Sequence, residues 1–164
     1  MARNKLHPIP HPPRTPLRAA SAPDPTLPTL VLVTPEDCSL ETVLPTLDVR
    51  AVAVADDLAR NAWDRTALQD AAARAAAHWQ RPTGVGDIAS IAAQHGCTQV
   101  VTGFAPVGPV AKALEALRGQ LSPQGIALAE HQREWDRLCW PHCGKGFFNL
   151  KSEIPRLLEA LRLA

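Results

Sequence analysis

The chain has 164 residues, 46% of them hydrophobic and 20% charged, the balance of one folded domain with an appendage rather than of a disordered chain. A formal net charge of +1 exerts no global pull on nucleic acid, and no apolar run approaches the roughly 20 residues of a membrane helix. Four Cys at uneven spacing and an N-terminus without an apolar h-region read as reduced thiols in a cytoplasmic protein.

Residues 1–28 hold eight of the sixteen Pro, which remove backbone donors and force their predecessors into extended geometry. They are expected to form an irregular, Pro-rich linker or arm with few core contacts, leaving 29–164 as a single domain. "TLVLVT" (29–34) follows as a β-branched run between Pro28 and Pro35 and predicts a buried strand. "VRAVAVAD" (49–56) predicts a second. "TALQDAAARAAAHW" (66–79) is an Ala-rich helix with Thr66 and Gln69 at capping-box spacing. "DIASIAAQHG" (87–96) predicts a helix capped by Asp87 and stopped at Gly96. A third strand, "TQVVTGF" (98–104), leads into the helix "PVAKALEALRGQL" (109–121), with Pro109 in its first turn. "GIALAEH" (125–131) is the fourth strand, and "SEIPRLLEALRLA" (152–164) a closing helix capped by Ser152.

Strands alternating with helices, each strand apolar throughout, imply a parallel sheet covered on both faces. The expected fold is a three-layer, Rossmann-like α/β domain with about four parallel strands in the order 2-1-3-4. Ligands in such sheets bind beyond the carboxyl ends of the strands. Four segments belong there: "TPEDCS" (34–39), "ADDLARNAWD" (55–64), "TGFAPVGP" (102–109) and the chain after Glu130. Thr34, Thr102, Gly103, Gly108 and Trp135 are accordingly candidate ligand contacts.

Other motifs fall short. "GVGDIA" (84–89) has the spacing of a dinucleotide fingerprint, but no apolar run precedes it to supply the strand that the fingerprint needs. "GKG" (144–146) lacks both the hydroxyl and the upstream Gly of a P-loop. Cys139, His142 and Cys143 are too few and too close to make a structural metal site. The pairs Glu36/Asp37 and Asp56/Asp57 read as solvated caps. No nucleophile stands beside a base at a telling spacing, so no catalytic residue is assigned.

The stretch "REWDRLCWPHCGKGFFNLKSEIPRLL", from Arg133, gathers two of the four Trp and two of the three Phe in a chain only 4% aromatic. Trp135, Trp140, Phe147 and Phe148 read as apolar anchors, expected to be buried or to form one patch at a domain interface. The order of pieces after "GCTQVVTGFAPVGPVAKALEAL" and "GIALAEH" resembles the α/β domain of the photolyase/cryptochrome family, over roughly residues 87–158. That resemblance implies a docking role for Trp140, His142, Lys145, Phe147 and Phe148 against a helical domain, in cis or in trans, that carries FAD. It also implies an antenna pigment in some members and contact with DNA only through the partner. The sequence has no candidate for the flavin domain itself. The alternative is a stand-alone nucleotide-binding module of the universal-stress-protein type, although the glycines at 103, 108 and 119 do not match that family's phosphate loop.

Overall fold

The computed structural model describes residues 17–143 and 147–163. Five strands form one parallel sheet in the order β3-β2-β1-β4-β5: β1 Thr29–Val33, β2 Val49–Val54, β3 Thr83–Val85, β4 Gln99–Gly103 and β5 Ala127–His131. The helices are α1 Leu40–Val43, α2 Ala62–Trp79, α3 Ile88–Gln94, α4 Gly108–Leu121, α5 Glu134–Cys139 and α6 Phe147–Ala160. The architecture is the expected Rossmann-like one, and the four strands read from apolar runs stand in the expected order.

Strand alternation sorts the core into two layers. Leu30, Leu32 and Val100 face α3 and α4, where they meet Ile91, Val110, Leu114 and Leu117. Val31, Val33 and Val101 point the other way, onto Leu40 of α1 and Leu68, Ala71, Ala72 and Ala75 of α2. The small Ala side chains bring α2 down onto the sheet. No described helix is long and apolar enough to cross a membrane.

The fifth strand is a departure from the sequence reading. β3 has three residues, pairs with β2 through Val52↔Thr83 to Val54↔Val85, and leaves Thr83 and Val85 exposed. A short edge strand with wet side chains has no apolar run to betray it. It overlaps "GVGDIA", but Gly84 lies inside the strand, paired with Ala53, rather than in a turn. Only Gly86, at φ +121, shapes the turn into α3.

Helix ends also differ. α2 begins at Ala62, not near Thr66, because Asn61 caps it by accepting from Asp64 N–H at 2.9 Å. α6 begins at Phe147, so Ser152 is internal and Pro155 sits within the helix rather than in its first turn. Asp87 caps α3 as expected, accepting from Ser90 N–H at 2.8 Å.

The described part of the arm, residues 17–28, contains no helix or strand, yet it is fastened to the domain, contrary to the expected scarcity of contacts. Ser21 carbonyl accepts from Glu130 N–H at 2.7 Å on the outer edge of β5, and Pro25 carbonyl accepts from Asp48 N–H at 3.4 Å. The Gln99 amide accepts from Asp24 N–H at 3.1 Å and donates to Asp24 carbonyl at 2.6 Å. Arg18 reaches the fully buried Glu130 carboxylate with two nitrogens, each at 2.5 Å, and lies 4.6 Å over the Phe104 ring. Arg118 of α4 donates to the same carboxylate at 2.8 Å. A carboxylate without water needs such donors, and a chain 112 residues away supplies most of them.

Of the two expectations for the aromatic anchors, burial is not met at the three whose side chains are described. Trp135 and Trp140 are about 40% exposed and Phe148 is 79% exposed. α5 and the 3₁₀ turn Trp140–His142 pack on α6, and their tryptophans stay partly exposed. Gly144, Lys145 and Gly146 lie outside the described residues, as does the Phe147 side chain.

Candidate ligand-binding site

The strand order reverses between β1 and β4, since β2 and β3 lie to one side of β1 and β5 lies beyond β4. The carboxyl ends of those two strands therefore flank the crevice where α/β sheets hold ligands. Thr34, Thr102 and Gly103 meet there, all fully buried. The loop after β1 turns back over the crevice, with Asp37 N–H donating to Thr34 carbonyl at 3.2 Å. The Asp37 carboxylate, only 5% exposed, accepts from Ser39 N–H at 2.9 Å and from the Ser39 hydroxyl at 3.2 Å. It is a built structural element rather than a solvated cap. Gly108 stands at the first residue of α4 with φ +94 and open space where a side chain would be. Trp135, in α5, is half exposed beyond β5.

Two titratable groups near the crevice are shifted by burial. Burial pushes the Cys38 thiol up, and the Asp37 charge adds to the effect, so the thiol stays protonated. Its proton is directed at Thr34 carbonyl, 3.6 Å away. Burial likewise holds His131 below the ordinary imidazole range, against the pull of Asp37 and with help from Arg133. The thiol is thereby held in its less nucleophilic form and the imidazole in its neutral, basic form.

A cavity of about 530 Å³ opens at the ends of β1, β2 and β3, under α4. Leu32, Leu58, Leu114 and Leu117 supply apolar walls, and Asp56, Gly86 and Gln120 supply polar groups. The volume is that of a small-molecule site. None of Thr34, Thr102, Gly103, Gly108 or Trp135 lines it. Asp56 was missed because an Asp in a polar loop reads as a cap. Here it directly follows the Ala55 that ends the β2 run, where a carboxylate belongs if it is to receive hydroxyls from a ligand.

Three buried side-chain polar atoms lack a hydrogen-bond partner among the described residues: Thr34 Oγ1, Thr102 Oγ1 and Asp56 Oδ1. All three stand at carboxyl ends of strands. Buried polar atoms are nearly always satisfied, so their concentration at one end of the sheet separates that end from the rest of the molecule. The other Asp56 oxygen lies 3.8 Å from Arg65 Nε. Among the described residues, no three metal-ligating side chains come together. Comparison with known proteins finds no matching family model, no matching curated protein and no matching solved structure.

Proposed function

We propose that the chain is a non-catalytic α/β docking domain of the photolyase/cryptochrome type, which packs its carboxyl edge against a helical domain carrying FAD. One observation carries this reading: large apolar side chains stand exposed where the chain leaves successive strands. Trp63 is 85% exposed after β2, Val107 67% after β4, and Trp135, Trp140 and Phe148 are exposed after β5. Exposed aromatics in the segments that follow the strands suit an interaction surface, since a folded domain gains nothing from holding them in water. FAD belongs to the partner in this reading, DNA is met only through it, and an antenna pigment would lie between the two.

The test is capture. The immobilised chain is incubated in the dark with an extract of its source cells, and the retained fraction is read for protein-bound FAD by absorbance and fluorescence. A retained flavoprotein that is lost with the double variant Trp63→Ser/Trp135→Ser supports the docking role. Retention of proteins without flavin, or equal retention by the variant, overturns it.

A further inference from the structure

We propose that the cavity beneath α4 binds an unphosphorylated ribonucleoside, with Asp56 receiving the ribose hydroxyls. The cavity, about 530 Å³, has room for a base and a pentose and is walled mainly by Leu58, Leu114 and Leu117 and their apolar neighbours, a surface suited to the faces of a flat ring. Its charged lining residues are Asp56, Asp57 and Asp87, and no Lys, Arg or His lines it. A phosphate entering the cavity would meet three carboxylates, with Arg65, already beside Asp56, as the nearby cation. A carboxylate accepts hydrogen bonds and donates none, so the ligand must bring donors. Asp56 Oδ1 is buried with no donor, and Oδ2 stands 3.8 Å from Arg65 Nε, too far for a hydrogen bond, so the carboxylate has room to accept from a ligand.

A vicinal diol fits this need, because two adjacent hydroxyls can donate to one carboxylate. Asp56 follows β2, the position from which an acidic residue meets ribose in dinucleotide-binding sheets. The phosphate half of that arrangement is missing here, since β1 runs into "TPEDC" without a glycine. Gln120, exposed on α4 at the cavity rim, can donate to and accept from the edge of a base.

The experiment uses the full chain and reads both thermal shift and calorimetric titration. The probes are adenosine, guanosine, cytidine and uridine, with the 2′-deoxy and 5′-monophosphate forms of whichever binds, and riboflavin. At least one ribonucleoside should bind, and its deoxy and phosphorylated forms should each bind about tenfold more weakly or worse. Asp56→Asn should weaken binding by a similar factor with little change in the unliganded melting temperature. Ala116→Trp, which places a large ring in the cavity from an exposed helix position, should abolish binding while the fold melts normally. Binding of the monophosphate as tightly as the nucleoside, equal binding of the deoxy form, binding of riboflavin alone, or no binding at all would each overturn the proposal. None of these outcomes bears on capture of a flavoprotein through the aromatic rim.

Discussion

Gly103 lies against Asp37 so closely that a Cβ built on the glycine would collide with Asp37 Cβ and stand 3.4 Å from its Cα. The need is for space rather than for unusual backbone geometry, because Gly103 is not among the glycines with positive φ. The loop that covers the β1–β4 crevice is seated by this contact. Gly103→Ala must therefore lift the loop or bend β4, and a cost of roughly 1–3 kcal/mol is expected. Denaturant unfolding measures it, and Gly119→Ala, in open space on α4, serves as the harmless control.

Arg18 is expected to behave as part of the fold. Removing it by Arg18→Ala leaves the buried Glu130 carboxylate with Arg118, and a loss of about 1.5–3 kcal/mol follows from the charged hydrogen bonds. Arg118→Ala should cost less, because Arg18 makes the two-pronged contact. The double variant should cost more than the sum, since an unpaired buried charge remains. Deletion to residue 25 should lower the melting temperature by roughly 5–10 °C. A melting temperature unchanged by that deletion would show the arm to be detached in solution.

The aromatic rim gives the opposite expectation. Trp63 and Phe148 are exposed enough that replacement by Ser should change stability by no more than about 0.5 kcal/mol. Trp135 and Trp140 are more than half covered, so about 1 kcal/mol is expected for each, well below the roughly 3–5 kcal/mol of a buried aromatic. Chemical denaturation of the single variants distinguishes the two scales.

His131 makes stability depend on pH. Its pKa is lowered in the folded chain by burial, so the unfolded chain takes up the proton first as the pH falls below about 6.5. Stability is then fully present above that value and declines on acidification, because the unfolded state binds more protons. Asp24, Asp64 and Asp87 have pKa values lowered by their hydrogen bonds and act only below pH about 4. Melting between about pH 7.5 and 5 should therefore show a decline that His131→Gln abolishes. An identical decline in the variant would assign the effect elsewhere.

How much of this was legible in the sequence depended on how local each signal was. β1, β2, β4 and β5 announce themselves as apolar runs because a parallel sheet buries both faces of each strand. β3 owes its existence to backbone pairing with Val52, Ala53 and Val54, which leaves no mark on the side chains of Thr83 and Val85. Thr34 and Thr102 could be picked out because position at a strand end is readable once strands are placed. Asp56 could be placed on the same edge, but not its unpartnered oxygen or the cavity, which depend on how α4 lies over β1 and β2. The Arg18–Glu130 pairing spans 112 residues, and a Pro-rich prefix offers no local periodicity from which to infer it. For the aromatics from Trp135 onward, residue type left burial and an exposed patch both open, because it does not say which side of a helix faces the domain.

The arm has a consequence for colloidal behaviour. β5 closes one side of the sheet, and its outward backbone groups would otherwise be open to another strand. Ser21, by accepting from Glu130 N–H, occupies that border, and Arg18 pins it there. A shortened gene product that starts at the first strand would carry a bare, hydrogen-bonding margin into a crowded solution. Its failure would then depend on concentration, with copies adhering strand to strand and turbidity rising well below the temperature at which a dilute sample melts.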